Sequence, residues 1–117
     1  MKFFSMLSAF VTFAIAHQAL AQVTIVVAPS NTNVDCLPGT AISCTQAQIV
    51  SNTCKGNFTP GQRCLHIATT HPNCHVSLYK AANQQGEVDA RLSTASETTI
   101  EASNNDAAWL SYAITCP

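Results

Sequence analysis

Charged side chains are scarce in this 117-residue chain. Only 9% of its residues are Asp, Glu, Lys or Arg, and the formal net charge is −1 at pH 7. The few basic residues are dispersed and form no cluster that could neutralise nucleic-acid phosphates. The same scarcity removes any strong attraction to anionic membranes. We therefore expect neither nucleic-acid binding nor membrane insertion.

Long apolar runs are also lacking after the N-terminus. Beyond residue 21, no stretch approaches the roughly 20 apolar residues that span a bilayer. The first 21 residues carry Lys2, an apolar run over 6–16, and Ala19 and Ala21 on either side of a leucine. This layout is typical of a secretory signal peptide. Residues 1–21 are thus predicted to be removed, and residues 22–117 to form one secreted, extracellular domain.

Recognisable catalytic motifs are missing as well. The chain contains no Gly-x-Ser-x-Gly segment, which nucleophilic hydrolases use. Glu87 and Asp89 are better explained as a solvated strand edge than as a glycosidase pair. A ribonuclease would need carboxylates, histidines and a cation, for which the candidates are Glu87, Glu101, His66, His75 and Arg63. Such a set arises by chance on many surfaces, and we predict a protein that is not an enzyme.

Cysteine, by contrast, is abundant. Six cysteines lie after the predicted signal peptide, and they are Cys36, Cys44, Cys54, Cys64, Cys74 and Cys116. An even number of cysteines in a short secreted chain predicts disulfides, here three. Six cysteines allow 15 pairings, and the sequence does not select one of them.

The densest group of metal-ligand residue types spans residues 64–75. Cysteine and histidine at this density are compatible with zinc, which takes four nitrogen or sulfur ligands. In an oxidising compartment the thiols are expected to be disulfides, so we predict no metal and no cofactor. His66 and His75 could form a pH-sensitive contact patch with Tyr79 nearby, but exposed, solvated imidazoles are the simpler interpretation.

Two alternating segments, Arg63–Thr69 and Cys74–Lys80, flank a turn-rich stretch and predict a hairpin. If Thr69 faces Cys74 in this hairpin, Cys64 and Cys74 point to opposite faces and should not pair. The predicted core face then consists of Leu65, Ile67, Cys74, Val76 and Leu78, and the predicted outer face of Cys64, His66, His75, Ser77 and Tyr79.

A helix is predicted over Thr45–Gly56, where Thr45 and Gln48 form a capping-box pattern. A helix of that length would hold Cys44 and Cys54 roughly 15 Å apart, which excludes a disulfide between them. The other segments, including 23–27, 98–102 and 108–115, have strand-like patterns. The predicted fold is therefore mainly β, a small disulfide-stapled antiparallel β-sandwich with one short helix.

Two further features concern the surface. Asn57 begins the sequon Asn57-Phe58-Thr59, which predicts a glycan and an exposed position. Trp109 and Tyr112 are candidates for sugar or protein contacts because aromatic side chains bury a large area at little entropic cost. They point opposite ways along a strand, so we expect at least one of them, Tyr112, to lie in the core.

Residues 76–87 resemble the first hairpin of a βγ-crystallin Greek key. Tyr79 and Gly86 fall on the key tyrosine and glycine of that motif. The segment 98–102, followed by Trp109, is similar to its later strands. The resemblance implies a Greek-key sandwich in which Gly86 adopts an unusual backbone conformation. The family's calcium-binding pattern is missing at 95–99, so the resemblance implies no calcium site.

In its overall format, the chain resembles small secreted cysteine-rich proteins of fungi, which include effectors of plant pathogens and killer-toxin-like antifungal proteins. The resemblance implies a non-catalytic virulence or immune-modulating effector that binds an extracellular host protein or a cell-wall component. An antifungal or killer-toxin-like protein is the alternative, and a small secreted hydrolase or ribonuclease is third.

Overall fold

The structure is a computed structural model that describes residues 21–30, 34–103 and 105–116. Alternating apolar residues, such as Val23, Ile25 and Val27 of the first strand, face its core. The strands of the described residues are β1 (Ala21–Ala28), β2 (Thr40–Thr45), β3 (Lys55–Gln62), β4 (Cys64–Thr69), β5 (His75–Tyr79), β6 (Ala90–Ser93), β7 (Thr99–Glu101) and β8 (Trp109–Thr115). Helix α1 (Gln46–Val50) follows β2. Two 3-10 turns, Val34–Cys36 and Ala82–Gln84, are called here the first and second folded turns. The predicted signal peptide lies outside the described residues except for Ala21.

The strands form two antiparallel sheets. The first has the order β2-β1-β4-β7 and the second has the order β3-β8-β5-β6. Buried residues from both sheets, such as Ile25, Leu65, Leu78 and Ile114, belong to one core cluster. This confirms the predicted mainly-β fold with two antiparallel sheets and one short helix. Within the described part of the chain, no helix is long and apolar enough to cross a bilayer.

One topology occurs twice along the chain, in β1–β4 and again in β5–β8. In each half the first strand pairs with both the second and the fourth. The third strand of each half crosses to the other sheet, where β3 pairs with β8 and β7 pairs with β4. Each sheet is therefore completed by a strand from the opposite half, and the two halves interlock.

The predicted hairpin between β4 and β5 is wrong, because the two strands lie in different sheets. The predicted core positions are correct, since Leu65, Ile67, Val76 and Leu78 are all buried. The predicted outer face is wrong at three positions, because Cys64, His66 and Ser77 are buried as well. Alternation reveals which side of a strand is apolar, but it does not reveal the neighbouring strand. Here the apolar faces of β4 and β5 pack into the same core, although the two strands lie in different sheets. The segment that connects β4 to β5 passes from one sheet to the other. Thr94 holds this segment in place by donating its hydroxyl to the His71 carbonyl oxygen.

The predicted helix is also too long, and the exclusion of a Cys44–Cys54 disulfide is wrong. The capping box of Thr45 and Gln48 is present, but α1 ends at Val50. Ser51 donates its hydroxyl to the Ala47 carbonyl oxygen, and Asn52 has a φ of 57° that turns the chain back. The Cα atoms of the two cysteines are therefore 5.9 Å apart, within the range for a disulfide.

Three disulfides join the six cysteines, as predicted in number. Cys44–Cys54 connects the end of β2 to the segment before β3. Cys36–Cys64 connects the first folded turn to the start of β4, and Cys74–Cys116 connects the segment before β5 to the end of β8. Cys64 and Cys74 are not partners, which agrees with the sequence-based expectation.

Candidate functional site

The pairing of strand β3 with β8 is interrupted over residues 58–61 and resumes at the end of β3. Asn57 is opposite Ser111 and Gln62 is opposite Trp109, with an irregularity between these pairs. Pro60 lies within this segment and has no N–H group to contribute to a ladder. Gly61 packs so closely against β8 that an added Cβ would lie 2.9 Å from Leu110 Cδ2. The result is a bulge in β3 between its two points of pairing with β8.

A cleft of about 310 Å³ lies between this bulge and strands β1 and β2. We call it the edge cleft, because β2 and β3 are outer strands of their sheets. Its described lining contains no charged residue, and it consists of Val27, Pro29, Thr40, Ile42, Asn57, Phe58, Thr59, Pro60 and Gln62. The lining therefore combines apolar walls with hydroxyl and amide groups.

Gln62 is the most informative residue of the edge cleft. Its side chain is 8% exposed, and its Nε2 donates a 2.7 Å hydrogen bond to the Pro60 carbonyl oxygen. The orientation of the amide is fixed, because exchanging its two ends would place two oxygens against each other. Its Oε1 is buried and accepts no hydrogen bond from any described group. Leaving such an acceptor unpaired typically costs about 1–3 kcal/mol.

The second folded turn supports the cleft from the other side of β3. Asn57 Nδ2 donates to Asn83 Oδ1 at 2.9 Å, and the Asn83 N–H donates to Asn57 Oδ1 at 2.7 Å. Gln84 donates from its backbone N–H to Ser111 Oγ and from Nε2 to the Gly56 and Tyr112 carbonyl oxygens. Both turn residues have positive φ values, of 57° and 55°. These hydrogen bonds tie the turn to both β3 and β8.

We expect Gln84→Met to lower the free energy of unfolding by about 1–3 kcal/mol, because two backbone carbonyl oxygens lose the Nε2 donor. Chemical denaturation of the purified protein measures this. The matched control is Gln46→Met on the exposed face of α1, which should change the free energy of unfolding by less than about 0.5 kcal/mol. Equal effects of the two substitutions would contradict the bridging role of Gln84.

The expectation of exposed, solvated imidazoles is wrong for His66, which is buried, and the alternative histidine patch is not formed either. His66 is on β4 in the first sheet, whereas His75 is on β5 in the second. His66 is buried, with Nδ1 at 2.7 Å from Thr99 Oγ1 and 3.5 Å from Asp35 Oδ1 of the first folded turn. It thus connects the first half of the chain to the strand that crosses over from the second.

The cysteine–histidine segment at 64–75 is also divided between the two sheets. Cys64 is bonded to Cys36 and Cys74 to Cys116. His71 Nδ1 lies 3.1 Å from Cys74 Sγ, beside a second cleft of about 290 Å³ next to α1. The two sulfurs are the other possible metal ligands near His71, but in a disulfide they offer no thiolate.

The candidate ribonuclease and glycosidase residues are not brought together in one site. His66 and Glu101 are on adjacent strands of the first sheet, and His75 is in the second. The Arg63 guanidinium donates to the carbonyl oxygens of Ser103 and Asp106. The neighbouring carboxylates Glu87 and Asp89 are both exposed. Asp89 accepts a 2.9 Å hydrogen bond from Trp109 Nε1 and lies 3.9 Å from Lys80 Nζ.

Both candidate contact aromatics are buried, including the predicted core residue Tyr112. Trp109 is 3% exposed and Tyr112 is 9% exposed. The Tyr112 ring stacks on Phe58 with centroids 5.1 Å apart, and burial raises the pKa of its hydroxyl above the usual value of 10.0. These rings therefore stabilise the core beneath the edge cleft instead of forming an exposed platform.

Sequence reasoning did not identify Gln62 or the edge cleft. The available signal was Pro60-Gly61 in a segment that otherwise supports a strand, since this pair indicates a bulge. Comparisons with known protein families, curated proteins and solved structures found no match.

Proposed function

We propose that the protein is a secreted, non-catalytic effector that binds a component of a host outside the producing cell and modulates virulence or immunity. The observation that carries this proposal is the edge cleft, an opening whose described lining is uncharged and combines apolar walls with hydroxyl and amide groups. A concave site with apolar walls and a few polar groups is the usual form of a ligand-binding site. The binding partner is a host protein or a cell-wall component.

The scaffold around the cleft supports an extracellular role. Three disulfides staple a small domain, which is typical of secreted proteins. Cys44–Cys54 joins the two strands that border the cleft, β2 and β3, near their connected ends. A cross-link at this place holds the cleft walls in position before a ligand arrives, which lowers the entropic cost of binding.

The duplicated topology supports the proposed relationship to βγ-crystallin-like Greek keys. That family's domain needs two motifs, and the chain contains two halves with the same strand pairing. Gly86 has a φ of 79°, as the resemblance implies for the hairpin glycine. Tyr79 lies at the end of β5, directly before the second folded turn.

We also propose that Asn57 carries a glycan. Asn57 is exposed and lies on the lining of the edge cleft. Its Nδ2 already donates to Asn83 Oδ1. A glycan attached to this nitrogen replaces one amide hydrogen, and the other hydrogen remains available for the bond to Asn83.

Infiltration of the purified secreted protein into plant leaves tests the effector function. We expect a cell-death or immune-suppression response that Thr40→Arg abolishes, because an arginine at this exposed cleft position would obstruct the opening. Thr69→Arg is the matched control, since Thr69 is exposed and pairs with the opposite end of β1. Growth inhibition of fungal cells without a leaf response would favour the antifungal alternative, and equal responses to both variants would exclude the edge cleft as the binding site.

A further inference from the structure

We propose that the outer edge of strand β2 binds an extended segment of a partner protein, which adds one strand to the first sheet and places neutral side chains in the edge cleft. This inference deepens the proposed function and rests on it, because it selects a host protein over a cell-wall component at the same site. Backbone hydrogen bonds hold the segment, and the side chains that enter the cleft determine which segments fit.

Strand β2 is the least protected of the four edge strands that the described residues form. The first sheet ends in β2 and β7, and the second ends in β3 and β6. The three-residue β7 includes Glu101, the four-residue β6 includes Arg91, and β3 contains Lys55, Pro60 and the bulge. Short length, charge, proline and bulges all discourage pairing with a further strand. The six residues of β2 include no charge and no proline, and their register with β1 is continuous over 40–44.

The register of the first sheet shows which backbone groups of β2 face outward. The Ile67 N–H on β4 donates to a carbonyl oxygen of the segment that leads into β7, so Ile67 directs its backbone groups towards β7. Ile25 of β1, which lies opposite Ile67, therefore directs its own groups towards β2, where it pairs with Ile42. Because successive residues direct their backbone groups to opposite edges of a strand, those of Ala41 and Ser43 face away from β1.

The outward groups of Ala41 and Ser43 specify a peptide backbone as the occupant. Both residues are exposed, and no described strand lies beyond them. Each offers one N–H and one C=O, and the two residues are about 6.8 Å apart along the strand. Another strand presents complementary pairs of groups at this same repeat, whereas a sugar does not.

The inner face of β2 opens into the edge cleft. Thr40 and Ile42 line the cleft on this side, and Phe58 and Pro60 line it on the side of the bulge. Side chains alternate between the two faces of a strand, so a strand added to β2 directs every second side chain into the cleft. A charged side chain would lose water there without gaining a counter-ion, because the described lining is uncharged. The segment is therefore neutral at its inward positions.

A second copy of this chain fits the site less well than a separate segment. If β2 paired with the β2 of another copy, the inward side chains of each strand would still line the cleft of their own copy. Both clefts would then stay unfilled. A separate extended segment brings side chains that belong to no other core, and these can occupy the cleft.

The test measures amide hydrogen exchange of the secreted protein by NMR while short peptides are added. One peptide alternates threonine with valine, a second alternates lysine with glutamate, and a glucose-based oligosaccharide provides the cell-wall arm. We expect only the threonine–valine peptide to bind, with a Kd of about 1 mM. At saturation, exchange of the Ala41 and Ser43 N–H groups should slow at least tenfold, because both become hydrogen-bonded.

N-methylation of the threonine–valine peptide separates strand addition from the binding of a side chain alone. In the extended peptide, the threonine amides lie along one edge and the valine amides along the other. With valine in the cleft, the threonine amides face β2 in an antiparallel arrangement, and the valine amides face it in a parallel one. Methylation of one set should therefore abolish binding while methylation of the other set is tolerated, and the sensitive set identifies the direction of the segment.

Ala41→Pro provides the decisive variant of the protein. It removes an N–H that faces away from β1, where proline is tolerated, and the affinity for the peptide should fall at least tenfold. Arg91→Pro is the matched control on edge strand β6. The Thr94 N–H donates to the Cys74 carbonyl oxygen, so Arg91 lies among the alternate residues of β6 that face away from β5, and its replacement should leave the affinity unchanged. Thr40→Arg should abolish binding by obstructing the cleft, and it keeps the test valid if Ala41→Pro does not fold.

Four outcomes would overturn the inference: no slowing of exchange at Ala41 and Ser43 with any peptide, binding of the oligosaccharide alone, equal effects of the two sets of N-methyl groups, or unchanged affinity in Ala41→Pro. Self-association of the peptide-free protein through the same N–H groups, measured by sedimentation, would assign the edge to a second copy and would also overturn it.

These outcomes are separable from failure of the effector function. If Thr40→Arg abolishes the leaf response but no peptide binds, the cleft has another ligand and only the peptide inference fails. If the peptide binds as expected but leaves do not respond, the effector function fails and the peptide site on β2 stands.

Discussion

Replacing Cys36 and Cys64 together by alanine should lower the free energy of unfolding by about 4 kcal/mol. The disulfide closes a segment with a sequence separation of 28, and the loss of this cross-link frees the unfolded chain by roughly 3.5 kcal/mol. Both cysteines are 0% exposed and pack with Ala28, so removal of the sulfurs adds a small cavity cost. Chemical denaturation of the double variant measures the loss.

The control is the double alanine variant at Cys44 and Cys54. These residues are separated by only 10 positions, so the expected loss is smaller, about 3 kcal/mol. Intact mass after alkylation establishes that each variant retains its two remaining disulfides. A larger loss in this control than in the Cys36 and Cys64 variant would contradict the proposed order of contributions.

The duplicated topology explains why the Cys36–Cys64 disulfide should contribute this much to the free energy of unfolding. In the second half, the folded turn is tied to the fourth strand by hydrogen bonds between Gln84 and β8. In the first half, the corresponding turn is tied to its fourth strand, β4, by the Cys36–Cys64 disulfide. One half thus uses a covalent bond where the other uses polar contacts.

The two turns also make corresponding contacts with the strand that crosses over from the opposite half. Asn83 exchanges hydrogen bonds with Asn57 on β3, and Asp35 accepts a 3.5 Å bond from Thr99 Oγ1 on β7. Each turn therefore helps to hold the exchanged third strand. Loosening the first turn should weaken both its own half and the interlocking of the halves.

Local patterns in the sequence predicted the parts of the fold that depend on near neighbours. The apolar positions of β4 and β5 were assigned to the core from their alternation, and they are buried. The burial of the intervening Cys64, His66 and Ser77 depends on elements outside their own strands and was not predicted. The capping box at Thr45 was predicted for the same reason, since it involves residues three positions apart. Disulfide formation followed from the number of cysteines and the predicted compartment.

Features that depend on distant parts of the chain could not be predicted in this way. The partner of β4 is β1 on one side and β7 on the other, and no periodicity within β4 specifies either. The Cys44–Cys54 pairing depends on where the helix ends, which the turn at Asn52 determines. Gln62 gains its position from a bulge against β8 and from the approach of β2, so its unpaired oxygen was not visible in the sequence.

Gly39→Ala should be the most damaging single substitution in the chain's surface loops, lowering the free energy of unfolding by at least about 3 kcal/mol. An added Cβ would lie 2.6 Å from the Val27 carbonyl oxygen and closer still to the Cys36 carbonyl oxygen. Both atoms belong to the backbone, so the clash cannot be relieved by a side-chain rotation. The first folded turn would have to move away from β1, which also disturbs the Cys36–Cys64 connection. Secretion yield and chemical denaturation measure the effect.

Gly86→Ala is the matched control, because Gly86 occupies the loop of the second half that corresponds to the loop of Gly39. Its φ of 79° disfavours a side chain, but no atom lies within 4 Å of the position of an added Cβ. The expected loss is therefore only the conformational cost of about 1–2 kcal/mol, and Gly86→Asn should cost less because asparagine tolerates this region. A greater loss for Gly86→Ala than for Gly39→Ala would show that φ, and not close backbone approach, governs both positions. The predicted order means that the two glycines have different physical roles in corresponding loops. Gly39 is required because there is no space for a side chain, and Gly86 is required because its backbone conformation disfavours one.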